Sequence, residues 1–108
     1  MDNEQQWLFD LKQGIIGIWT NNHYSFAFNG KNANNFDGAA IMHNKLSGSN
    51  TGGNYNIFIQ EGRPFMRIII TDGVAMMVAR EFNFSLTDSD KLTLTNPQGF
   101  LAELDKVA

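Results

Sequence analysis

The chain predicts an all-β fold: one antiparallel, up-and-down barrel of eight strands behind a single short N-terminal helix. Three observations predict it. From Ile15 onward, short runs of β-branched and aromatic residues recur, separated by clusters of Gly, Asn, Asp and Pro. The intervals between runs are too short for crossover helices, which favours a meander over parallel α/β units. At 108 residues the chain is one domain, 1–108, with room for one core, burying about 65% of its unfolded surface. Closing the meander removes two sheet edges that would otherwise invite pairing with other chains. An open sandwich is the alternative architecture.

Asp2 or Asn3 can cap a helix running to about Gln13, with Trp7, Leu8 and Leu11 on one side and Gln6, Asp10 and Lys12 elsewhere. Gly14 ends it, and Ile15 to Asn21 turns β-branched and aromatic. This first strand carries the triplet Gly17-Ile18-Trp19. Tyr24 to Phe28 alternates Tyr, Phe, Phe against Ser and Ala, so it buries one face. Asn29 to Gly38 is an asparagine-rich loop, Ala39 to Leu46 a weaker strand, and Ser47 to Gly53 a flexible turn by composition. Tyr55 to Gln60 alternates again, and Glu61-Gly62-Arg63-Pro64 turns the chain into Phe65 to Thr71. Asp72-Gly73 is the strongest hairpin signal, leading to Val74 through Leu86. Asp88-Ser89-Asp90 precedes Lys91 to Thr95, and Asn96-Pro97-Gln98-Gly99 leads to a last strand from Phe100 to about Lys106.

Composition narrows the function classes. The apolar fraction of 43% and nine phenylalanines suffice for a core. A net charge of -3 with scattered basic residues argues against nucleic acid as a partner. Without cysteine there is no disulfide, thiolate metal site or cysteine nucleophile. No apolar run is long enough to span a membrane as a helix. The polar, acidic start at Met1 to Gln6 lacks the build of a signal peptide, so the chain reads as cytoplasmic as it stands, or as exported if a leader has been removed.

Gly17-Ile18-Trp19 on the first strand, with Ser85-Leu86 and Lys91-Leu92-Thr93-Leu94-Thr95 towards the end, resembles the lipocalin and fatty-acid-binding (calycin) superfamily in its short bacterial lipocalin-like form. The resemblance implies an up-and-down barrel whose tryptophan plugs the closed end and whose interior holds an apolar small molecule. Family members carry a late arginine packed across that tryptophan. Here the last arginine is Arg80, and Lys106 is the cation near the corresponding place. Trp19-Thr20-Asn21 also echoes avidin-like barrels, but both tryptophans precede residue 20, so biotin-stacking tryptophans have no counterpart.

With Trp19 inward, alternation places Tyr24, Phe26, Phe28, Met42, Tyr55, Ile57, Ile59, Met66, Ile68, Ile70, Met76, Val78, Phe82, Phe84, Leu92, Leu94, Ala102 and Leu104 inside, provided no bulge slips the register. Eight strands enclose a space that side chains can fill, or that holds one small ligand. The candidate ligand-binding residues are Arg80, Tyr24, Tyr55, Phe26, Phe28, Met42, Met76 and Phe82. Arg80 falls between Val78 and Phe82 on the inward phase. A buried guanidinium needs an anion, so Arg80 either anchors a ligand carboxylate, helped by the Tyr24 or Tyr55 hydroxyl, or is turned to solvent by a bulge near Arg80-Glu81. His23 and His43 fall in the outward phase and read as surface histidines. Asp88 and Asp90 lack the glycine and glutamate of a calcium loop. No catalytic residue, metal ligand set or cofactor site is expected.

Ile16, Ile18, Ile41, Phe58 and Met77 fall on the outer face, which Trp7, Leu8 and Leu11 of the helix can partly cover; the remainder fits a protein contact such as a homodimer. Three function classes follow. The first is a small-molecule binding module with an apolar ligand in the barrel. The second is a packed barrel that self-associates or binds another protein. The third is an isomerase or lyase on a calycin barrel.

Overall fold

The computed structural model describes residues 3–30, 36–72, 76–87, 90–97, 99 and 101–107, with the backbone alone described at 70–72 and 76–80. Helix α1 spans Asn3–Gly14. The strands are β1 Gly17–Thr20, β2 Tyr24–Phe28, β3 Gly38–Asn44, β4 Asn50–Gln60, β5 Arg63–Asp72, β6 Met76–Thr87, β7 Lys91–Thr95 and β8 Leu101–Lys106. Each pairs antiparallel with its neighbour in sequence, and β8 returns to β1, closing the barrel. The fold is the one expected, an eight-stranded up-and-down barrel consistent with a lipocalin-like fold.

Every ladder keeps one register from end to end. From Phe65↔Asn83 to Asp72↔Met76, for instance, partners advance one for one. A period-2 pattern survives only where no residue is inserted, and this is why the predicted inward phase holds. Trp19, Phe26, Phe28, Tyr55, Ile57, Met66, Ile68, Phe82, Phe84, Leu92, Leu94, Ala102 and Leu104 are all buried, while Tyr24, Met42 and Ile59 are half-buried. The side chains of Ile70, Met76, Met77, Val78 and Arg80 lie outside the described residues, as do Gly73 and Val74 of the predicted hairpin turn.

Several boundaries differ from the sequence reading. Arg63 and Pro64, read as turn, already belong to β5, so the turn is Glu61-Gly62, and β3 runs Gly38–Asn44 instead of Ala39–Leu46. Two further differences have a clear physical cause. The first strand starts at Gly17, not Ile15, because Ile15 is spent closing the barrel. It is fully buried, its N–H donates to the Leu11 carbonyl at 3.0 Å, and its carbonyl accepts from the Trp19 indole at 2.9 Å. Gly17 has φ of 139°, a region side chains disfavour, and this reorients the chain from helix to strand. The second difference is β4, which absorbs residues 50–53 of the stretch read as a flexible turn. Gly52 and Gly53 pair with Ile41 and Ala40 of β3, so pairing overrides composition. The turn itself is confined to 45–49, where the Asn44 Oδ1 accepts from the N–H groups of Leu46 and Ser47.

Helix α1 does not lie along the outer wall as expected. Leu11 joins the barrel core and Leu8 packs against it, while Trp7 is 40% exposed. Lys12 pairs with Asp37, just before β3, at 3.0 Å, and Gly14 lies against Leu86 near the end of β6. The helix therefore caps one end of the barrel, the end carrying the β2–β3 and β6–β7 connections. In a meander, alternate hairpin connections lie at opposite ends, so the β1–β2 and β3–β4 turns surround the other opening.

Candidate functional site

The candidate site is the barrel interior, and β2 supplies its most continuous wall. Alternation along Tyr24–Phe28 turns three rings to one face. Phe26 and Phe28 are near-parallel with centroids 6.0 Å apart, and Phe28 meets Tyr55 of β4 edge-on at 5.3 Å. Tyr24 lies tilted beside Phe26 at 6.2 Å. Such offset and edge-on pairs stabilise by about 0.5–1.5 kcal/mol each beyond their buried area. Met42 of β3 sits opposite Phe26 in the ladder, and Phe82 and Phe84 of β6 are buried in the same core. Of the eight predicted site residues, the structure thus brings Tyr24, Phe26, Phe28, Tyr55, Met42 and Phe82 onto one continuous inner surface.

Arg80 stands opposite Ile68 in the unbroken β5–β6 ladder and Met76 opposite Asp72. Their side chains lie outside the described residues. The register contains no slip at Arg80-Glu81, so the bulge considered from the sequence is absent there.

The Tyr55 hydroxyl is already committed. It donates to the backbone carbonyl of Asn29 at 2.8 Å, which ties β4 to the loop at the capped end. Burial, and next the nearby Asp37 carboxylate, push its pKa up to about 12. The hydroxyl proton of Tyr55 is therefore held by the backbone of this chain, and its ring forms part of the wall. No charged or polar residue is fully buried among the described residues.

The two ends of this interior differ. At the capped end Trp19 is fully buried beneath Ile15, and the Lys106 ammonium lies 5.5 Å from its ring centroid. Lys106 thereby places a cation over the face of the plugging indole. At the opposite end, Tyr24 and Met42 face inward yet remain half-buried, next to the turns at 21–23 and 45–49. These two turns are laced together: the Lys45 N–H donates to the His23 carbonyl and its ammonium to the Asn21 carbonyl, both at 2.8 Å.

Sequence reasoning missed Asp37, which stood in a loop with no pattern of its own. One oxygen accepts from the Ile57 N–H at 2.7 Å and the other holds Lys12, so a carboxylate continues the ladder where β3 gives out. Its only signal was being the one acid in an amide-rich segment. The two histidines are apart: His23 is exposed, and the His43 Nδ1 sits 2.6 Å from the Asn50 Oδ1. No group of three or more His, Cys, Asp or Glu that could hold a metal ion occurs among the described residues. No helix among them is long and apolar enough to cross a membrane.

Chemically, the described interior offers hydrocarbon, thioether and aromatic faces, which can solvate an apolar guest. It presents no paired acid and base. No family model, characterised protein or solved structure matches the chain.

Proposed function

We propose that this protein is a small-molecule binding module, a lipocalin-like barrel of the calycin type that takes an apolar ligand through the end opposite helix α1. The observation that carries this reading is the gradient along one aromatic wall. Phe28 and Tyr55 are sealed at the capped end, whereas Tyr24 and Met42 are accessible at the other. Inward residues reachable from solvent are what a ligand entry requires, and methionine adapts to guests of irregular shape. The Gly17-Ile18-Trp19 triplet and the cation over its indole support the calycin reading. Arg80, at a register position opposite the buried Ile68, is the anchor for a carboxylate should the ligand carry one.

The test is titration with a fluorescent apolar dye, together with native mass spectrometry of the protein as purified. We expect saturable uptake or a retained mass. Met42→Trp, which narrows the opening, should weaken uptake about tenfold, or by roughly 1.4 kcal/mol. Arg80→Ala should weaken only probes bearing a carboxylate. A barrel that takes up no dye, retains no mass and stays dry would overturn the reading.

A second reading is favoured by one observation on the outside. The exposed Val107, just after β8, and Ile18 and Ile41 of β1 and β3 stand side by side, joined by Ala27 of β2. Such a row fits a protein contact, including one between two copies of this chain.

A further inference from the structure

Outside the barrel interior, a cleft of about 340 Å³ lies on the opposite side of the wall, lined by Arg63, Phe65, Glu81, Asn83, Thr95, Asn96 and Pro97. This size lies at the lower bound of small-molecule sites, roughly 300–1,000 Å³. Its floor is built by register. Phe58↔Phe65, Phe65↔Asn83 and Asn83↔Thr95 are successive ladder partners across β4, β5, β6 and β7. They occupy the outward phase, because their neighbours Ile57, Met66, Phe82, Phe84 and Leu94 are buried inside. Phe58 stacks on Phe65 from the β4 side, centroids 5.7 Å apart at 15°, and the Arg67 guanidinium covers Phe58 at 5.4 Å. Phe65, unlike Phe58, lines the cleft itself.

Around this aromatic floor stands a polar rim. Arg67 and Glu81 form an ion pair, so the Glu81 carboxylate is neutralised while it still accepts hydrogen bonds. Asn83, Thr95 and Asn96 add amide and hydroxyl groups, and Arg63 supplies a guanidinium that makes no ion pair among the described residues. An aromatic face is the negative end of a quadrupole and attracts polarised C–H groups. The complementary guest is flat and C–H-rich on one face, with hydroxyls all round its edge. We infer that this outer cleft is a binding site for a pyranose sugar, stacked on Phe65 and held at its edge by Glu81, Asn83 and Thr95, with Arg63 placed to take the carboxylate of a uronic acid. A nucleoside is the other flat guest with a polar edge, and it is the competing ligand in the test.

The test is NMR titration of the intact protein with methyl glucoside, methyl galactoside, glucuronate and, as the competing planar guest, adenosine. At least one pyranose should shift the amides of Phe65, Glu81 and Asn83 with a dissociation constant on the order of 1 mM. Glucuronate should bind tighter than glucoside, and Arg63→Gln should erase that difference. Phe65→Leu, which keeps apolar bulk but loses the flat face, should weaken binding about tenfold, while Phe65→Tyr should retain it. An apolar dye in the barrel interior should be indifferent to all three variants, which separates this site from that one. No shift from any pyranose at tens of millimolar, shifts elsewhere on the barrel, or adenosine binding in place of sugars would overturn the inference.

Discussion

Tyr55 joins wall and closure in one side chain. Its ring packs edge-on against Phe28, and its hydroxyl holds the Asn29 carbonyl. Because the folded pKa is raised from 10.0 to about 12, the folded state keeps the phenolic proton more tightly than the unfolded chain. The associated stability is complete below pH 10 and is lost as pH rises through 12, with roughly 2 kcal/mol gone by pH 12. Tyr55→Phe gives up the hydrogen bond, about 1 kcal/mol at neutral pH, but has no proton to lose. In urea unfolding followed against pH, the variant should be the less stable protein at pH 7 and the more stable one near pH 12. Parallel curves would mean that Tyr55 ionises as it would in water. Trp19 makes the companion case. Trp19→Phe orphans the buried Ile15 carbonyl and leaves a void beneath the helix, and should cost about 2–4 kcal/mol. Lys106→Met, which removes only the cation over the ring, should cost under about 1 kcal/mol. Equal losses in the two denaturation curves would contradict this division of roles.

At the scale of elements, two glycines in one hairpin have opposite meanings. A Cβ at Gly38 would fall 1.9 Å from the Asn29 carbonyl oxygen, where the β2–β3 loop returns to start β3. Backbone cannot yield as a flexible side chain can, so Gly38→Ala should cost at least about 3 kcal/mol. At Gly52 a Cβ meets nothing within 4 Å, and Gly52→Ala should be neutral or stabilise by up to about 1 kcal/mol through lost unfolded-state freedom. Thermal unfolding of the pair checks this, and a Gly52→Ala loss comparable to that of Gly38→Ala would refute it. The same hairpin marks where the sequence stopped being legible. Alternation in Tyr24–Phe28 and Tyr55–Gln60 reads directly because each strand buries one face. Residues 50–53 carry no side-chain alternation, and only the backbone partners on β3 make them strand. The helix was visible from its period, but not its seat; Asp2, one of the two expected caps, lies outside the described residues. Leu8 and Leu11 announce an apolar side without saying whether it covers a wall or closes an end. The inner surface of the candidate site was legible because it shares its period with the core. Asp37 and the outer cleft were not, since each is assembled from residues on separate strands whose adjacency only the ladder register defines.

For the whole molecule, the barrel resolves its edges by closure, and what it exposes is its curved outer face. That face is not uniformly polar. Val107, Ile18 and Ile41 are 60%, 39% and 54% exposed, and Gly52 extends their row without a side chain to interrupt it. Single exposed apolar residues are ordinary, but a contiguous row across four adjacent strands is a patch. A stable contact buries about 800 Å² per partner, so the row would form its centre and neighbouring polar residues its rim. Two copies related by a twofold axis would each bring the same row, the usual geometry of homodimers. Sedimentation across the micromolar range should then show mass increasing with concentration. Ile41→Lys should abolish the increase, because two like charges would face each other in a dry centre. The monomer itself should lose no more than about 0.5 kcal/mol, since Ile41 packs little within its own barrel. Its apolar dye uptake should also persist, because residue 41 faces away from the interior. A monomer at every concentration would remove the self-association reading and leave the row to a different partner. Loss of dye uptake together with loss of mass would mean that the second copy helps to build the ligand opening.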